Sequence, residues 1–112
     1  MTKAEAEKML AECRQRIDAI DLELRDLLNR RSEIVIDVLR AKNVLDMPIY
    51  ESNREELVLN RVTEGNPGPL ADESLRRLFG TLMQEMRVFQ DMLRRREADA
   101  SPSRGRAAEP SE

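Results

Sequence analysis

A chain of 112 residues is long enough for one small domain. Charged residues make up 37% and aromatics only 3%, with few glycines, a balance that suits helices and argues against a β-sandwich or barrel. A net charge of −3 offers no basic excess for nucleic acid or an anionic membrane. The absence of His and the single Cys13 argue against zinc, a disulfide framework and His-based acid–base or nucleophilic chemistry.

Three helices follow one another along the chain. The first opens at Thr2, with Glu5 three residues on as the partner in a capping box. It is expected to run without Pro or Gly to about Leu45, where Met47 and Pro48 stop it. The second is expected from Ser52, with Glu55 as its box partner, to the breaker cluster "GNPGP" at residues 65–69. Asp72 looks like the N-cap of the third, which should reach about Glu97. Residues 98–112 carry no apolar periodicity and are expected to be a disordered C-terminal tail, leaving 1–97 as the helical domain. No apolar run approaches ~20 residues, and the charged N-terminus lacks a signal core, so the expectation is a soluble, cytoplasmic, all-α protein.

The first helix carries a seam: Leu10, Cys13, Ile17, Ile20, Leu24, Leu27, Arg31, Ile34, Val38, Ala41 and Leu45. Steps of three and four alternate without a slip, which is a heptad pattern. A helix over that span is roughly 65 Å long at ~1.5 Å per residue, whereas a compact domain of this size has a radius of gyration near ~13 Å. The rest of the chain is too short to cover it. A second copy, with the long helices paired about a twofold axis, would do so.

Each helix also brings a polar group to its apolar face. Arg31 interrupts the seam, and burying an unpaired guanidinium costs several kcal/mol, so it calls for an anionic partner. Lys42 follows eleven residues later, within roughly 20° of Arg31 around the axis and about 16 Å along it. On the second helix Glu55 sits within the stripe of Val58, Leu59 and Val62, with Glu51 one turn before it. On the third, Gln90 borders Leu82, Met86, Phe89 and Leu93. Structural ion pairs, a plain capping box and an edge glutamine would explain these residues singly. Taken together, two cations, a carboxylate and an amide suit a small anion with more than one carboxylate and a hydroxyl. The set holds no nucleophile, no metal and no base that titrates near neutrality. Such a site binds, or catalyses through conformational restraint and electrostatics alone.

The runs "CRQRIDAIDLELRDLLNRRSEIVIDVLRAK", "PIYESNREELVLNRV" and "LFGTLMQEMRVFQ" are similar to those of the all-helical (AroQ-type) chorismate mutases, over about Cys13 to Gln90. The resemblance implies an intertwined helical homodimer with shared active sites. It implies conversion of chorismate to prephenate by a Claisen rearrangement, without a cofactor, on the route to Phe and Tyr. It further implies that Arg31 grips a substrate carboxylate, and that Lys42 reaches the other carboxylate and the ether oxygen. Arg14 would come from the partner copy, Glu55 would accept from the ring hydroxyl with Glu51 nearby, Gln90 would donate to the ether oxygen, and Arg54 would organise the site's charges. Met86 departs from the pattern, since such enzymes often place a short polar residue there to help hold a carboxylate. Two alternatives stand beside this reading. One is a related enzyme on the same scaffold (an aminodeoxychorismate mutase or an isochorismate-pyruvate lyase), and the other a non-catalytic helical dimerisation module.

Overall fold

The computed structural model describes residues 1–100. Every regular element among them is helical: α1 (Lys3–Leu45), α2 (Ser52–Thr63) and α3 (Asp72–Ala100). None of these helices is long and apolar enough to cross a membrane. By its contacts the chain divides into a first unit, Met1–Ile34, and a second that begins at Val35.

The first unit consists almost entirely of α1. Its start is the capping box expected from the sequence. The Thr2 N–H donates to Glu5 Oε1 at 2.7 Å, and the Glu5 N–H donates to Thr2 Oγ1 at 3.1 Å. Two of the N–H groups that a helix start leaves unpaired are thereby satisfied reciprocally. Beyond the cap the seam lies open: Ile17, Ile20, Leu24, Leu27 and Ile34 are 51% to 64% exposed. Helix propensity alone sustains a marginal helix, and most helical stability in proteins comes from burying an apolar face.

The second unit holds the end of α1 together with α2 and α3. Among the described residues, only Leu39 and Met83 are buried apolar side chains. Val58, Leu59 and Val62 of α2, and Leu75, Phe79, Leu82 and Phe89 of α3, are half-buried. Arg76 donates to Glu56 at 2.6 Å and to Asn60 at 3.2 Å, while farther along α3 Arg87 reaches back to Glu55. Rising numbers on α2 thus meet falling numbers on α3, so the two helices run antiparallel.

The end of α1 is a Schellman closure. The Met47 N–H donates to the Lys42 carbonyl at 2.8 Å, and Asp46 takes the left-handed conformation at φ 56°. Pro48 follows and cannot continue the helix. From α3, Arg94 braces this turn by donating to Asn43 Oδ1 at 2.7 and 3.1 Å and to the Met47 carbonyl at 3.4 Å. Between α2 and α3, Asn66 ties the loop together: its Nδ2 donates to the Leu70 carbonyl and to Asp72 Oδ1, both at 2.8 Å.

Three sequence expectations change. The N-cap of α2 is Glu51 rather than Ser52, and no side chain caps it. Glu51 and Glu55 are both engaged by cations, and charge-assisted bonds of that kind are roughly twice as strong as neutral ones. Asp72 lies inside the first turn of α3, where its carboxylate accepts from Asn66. Finally, α3 continues through Ala100, three residues into the segment expected to be tail. The remainder of that segment, 101–112, lies outside the described residues.

The Thr2 N–H holds the Glu5 carboxyl below its usual value of 4.5, with the Thr2 side chain adding to the effect. A depressed folded pKa means the box stabilises above the ordinary glutamate range and is lost as pH falls through the folded value. Protection factors of the first-turn amides, measured by NMR hydrogen exchange, should therefore drop in acid. The Glu5→Gln variant should keep a box without that acid dependence.

Candidate active site

The chemistry of the second unit gathers where the end of α1, the start of α2 and the middle of α3 meet. Lys42 is 6% exposed although it carries an ammonium group. Its Nζ donates to the Ile49 carbonyl at 2.7 Å and pairs with Glu51 Oε1 at 3.1 Å. Two of its three N–H donors are thus accounted for. The Schellman turn and Pro48 bring residue 49 back over the helix end that carries Lys42. The expected anionic partner of Lys42 is therefore its near neighbour in sequence.

One turn along from Glu51, Glu55 is held by Arg87. A single nitrogen, Nη1, lies 2.5 Å from both carboxylate oxygens. The guanidinium stands 4.8 Å from the centroid of the Tyr50 ring, a cation–π distance. Arg87 is therefore gripped by a carboxylate and an aromatic ring, with about one-third of its side chain exposed.

Gln90 is 6% exposed, and its Nε2 donates to the Met86 carbonyl at 3.1 Å. Its Oε1 is buried and has no hydrogen-bond partner among the described residues. Rotating the amide would set two acceptors against each other, so the orphan is the oxygen. Almost all buried polar atoms in native proteins are paired, and an unpaired one calls for an explanation, commonly a functional one. The neighbours on α3 place Gln90 within the constellation. Arg87, one turn before it, reaches Glu55 on α2, and Arg94, one turn after it, reaches Asn43 beside Lys42.

The structure thus draws together Lys42, Glu51, Glu55, Met86 and Gln90. Met86 is half-buried, and its carbonyl is taken by Gln90. Arg54 is exposed and takes no part in the pairing; Arg87, not Arg54, holds Glu55. Arg14, exposed, and Arg31, half-buried, belong to the first unit. Arg87 and Tyr50 were missed from the sequence. A cation one turn from Gln90 was the available signal. Its pairing with Glu55, 32 residues away, needed the antiparallel register of α2 and α3. No cluster of metal-ligating side chains occurs among the described residues.

Chemically, Lys42, Arg87, Glu51, Glu55 and Gln90 supply two cations, two carboxylates and an amide with spare hydrogen-bonding capacity, and no nucleophile stands among them. A family model described as chorismate mutase type II matches residues 13–91. The bifunctional chorismate mutase/prephenate dehydratase of Neisseria gonorrhoeae is 38% identical over 79 residues, covering 70% of this chain and 21% of that protein. The chorismate mutase of Methanocaldococcus jannaschii is 30% identical over 82 residues, covering 72% of this chain and 83% of that protein. Among solved structures, form II of the chorismate mutase from Thermus thermophilus superposes with a TM-score of 0.71 at 30% identity, covering 74% of this chain and 94% of that one. The chorismate mutase of Helicobacter pylori in complex with prephenate gives 0.70 at 33% identity, covering 75% and 91%. The chain spans only 21% to 26% of the length of the bifunctional relatives it matches.

An orphaned acceptor costs about 1–3 kcal/mol, while a neutral side-chain hydrogen bond such as that to the Met86 carbonyl returns only about 0.5–1.5 kcal/mol. Gln90→Leu should therefore keep or raise the melting temperature, read by calorimetry. A clear fall would show that the bond from Nε2 to the Met86 carbonyl outweighs the orphaned oxygen.

Proposed function

The chain belongs to the chorismate mutase type II family, and from that premise we propose that it rearranges chorismate to prephenate, as a homodimer whose two sites each draw on both copies. The reaction breaks one C–O bond and forms one C–C bond within a single molecule, so it needs neither a nucleophile nor a cofactor. It needs the substrate folded into a compact conformer with both carboxylates held, and stabilisation of the charge that grows on the ether oxygen.

The observation that carries this reading is the burial of Lys42 and Gln90, each with one N–H left over once its bonds within the chain are made. Lys42 would direct its remaining N–H to the ether oxygen, with its charge also facing a carboxylate. Gln90 would donate to the same oxygen through its amide. Both contacts strengthen as charge develops there, which lowers the barrier rather than only tightening binding. Glu55 would accept from the ring hydroxyl, with Glu51 beside it, and Arg54 would contribute positive charge at the rim. Met86 offers no side-chain donor, so the carboxylate contact made there by a short polar residue in similar enzymes falls to backbone or water.

Arg31 would take one carboxylate in a bidentate contact. On one helix, residues 14 and 31 stand about 25 Å apart, so Arg14 reaches the same small molecule only from a second copy. Antiparallel pairing of two α1 helices about Leu28 sets Arg14 of one copy level with Lys42 of the other. The exposed seam of Ile17, Ile20, Leu24, Leu27 and Ile34 supports that pairing. Such an enzyme would work in the cytoplasm on the route to Phe and Tyr.

The direct test is to add chorismate to the purified protein and identify the product by NMR; unchanged chorismate would refute the assignment. Lys42→Ala should lose at least about 10²-fold in kcat, by analogy with removal of an oxyanion donor, and remain a folded dimer. Activity near wild type would remove Lys42 from the mechanism. Arg14→Ala and Lys42→Ala, each inactive as a homodimer, should regain activity when mixed, since a heterodimer restores one complete site. Absence of complementation would exclude a site shared between copies.

A further inference from the structure

Arg87 has no part in the reaction as drawn, yet it holds a residue that does. Its Nη1 is seated between both oxygens of Glu55, and Tyr50 lies 4.8 Å from the guanidinium. A carboxylate has about four lone-pair sites, and one nitrogen placed between its oxygens leaves capacity for a hydroxyl. Arg87 therefore fixes the position of Glu55 without exhausting it as an acceptor.

The charges give this pairing a consequence for binding. Lys42 is already paired with Glu51, so within the second unit the charge of Glu55 is balanced by Arg87 alone among the described pairs. An uncompensated carboxylate close to a ligand that carries two more would repel it strongly in a partly water-excluded site. A glutamate that must greet the hydroxyl of a dianion thus needs a cation that does not leave when the ligand arrives. Arg87 suits this: it is always charged, and it is held from two sides.

Resting on the proposed function, we propose that Arg87 is a positioning residue that admits the doubly negative substrate. It cancels the charge of Glu55 and sets that carboxylate to accept from the substrate hydroxyl.

The experiment measures the Kd for prephenate by calorimetry and the KM and kcat for chorismate. It compares wild type with Arg87→Met, Arg87→Gln, Arg87→Lys, Glu55→Gln and the double variant Arg87→Met/Glu55→Gln, each checked for folding by circular dichroism. The neutral Arg87 variants should raise Kd and KM about ten- to a hundredfold, the size expected for one uncancelled charge near a dianion. The effect should shrink as salt is added. Arg87→Lys should recover most of the binding. The double variant should bind more tightly than Arg87→Met, because it removes the charge that Arg87 had cancelled. A merely structural role would lower the melting temperature without this rescue. The proposal is overturned if the neutral variants bind as wild type does, or if the double variant binds no better than Arg87→Met; the latter would assign Arg87 a direct contact with the ligand. If Arg87→Met does not fold, Arg87→Gln, alone and with Glu55→Gln, decides in its place. Wild-type protein that binds prephenate but leaves chorismate unchanged would overturn the proposed function while the Kd series still judges Arg87. Protein that does neither would overturn both.

Discussion

An ammonium group leaves water at a cost of several kcal/mol unless the protein replaces its solvation shell. Lys42, 6% exposed, has done so, and much of the second unit is arranged around that replacement. The Ile49 carbonyl and the Glu51 carboxylate supply the new shell. To bring them there the chain must turn sharply after Leu45, which it does with Asp46 in the left-handed region and a bond from the Met47 N–H to the Lys42 carbonyl. Arg94 then ties Asn43 and Met47 to α3. The same demand explains why α2 begins without a side-chain cap: the carboxylate at its N-cap is already committed to Lys42.

Around that lysine the site is electrically crowded and, at one atom, unsatisfied. The carboxylates of Glu51 and Glu55 each have a cation, whereas Gln90 Oε1 has no partner. A chain selected only for stability would place an apolar side chain at residue 90. Retaining an amide there makes sense if its remaining N–H is used by a ligand. In the proposed rearrangement that ligand arrives with two carboxylates, an ether oxygen and a hydroxyl, the groups that Lys42, Gln90 and Glu55 would meet.

The long helix presents the complementary problem, which concerns apolar groups. No residue of the first unit is fully buried, and Ile17, Ile20, Leu24, Leu27 and Ile34 of its seam stand more than half exposed. Covering side chains so exposed contributes roughly 1 kcal/mol each. In the proposed dimer the cover is the partner's own α1, and the pairing that supplies it also delivers Arg14 to the partner's site. Assembly and catalysis are then one requirement, and a copy unable to pair would lose both.

Local rules made a good part of this legible. The capping box at Thr2, the breakers at Pro48 and in residues 65–69, and the heptad seam act over a few residues. Each could therefore be read directly, and the helix boundaries follow closely. The burial of Lys42 and Gln90 was also foreshadowed, because a polar residue on an apolar stripe stands out in one helix alone. What escaped was everything that depends on which helix lies against which. Glu55 looked like the partner in a local capping box, yet it pairs with Arg87, 32 residues away. Asn43 and Arg94 gave no sign of meeting across 51. Sequence alone determined where the helices form and which polar groups sit on apolar faces, because backbone hydrogen bonding and side-chain periodicity are local. Only the tertiary structure decided the partners of those groups, because the register between packed helices is set by the sum of many weak apolar contacts that no short stretch of chain contains.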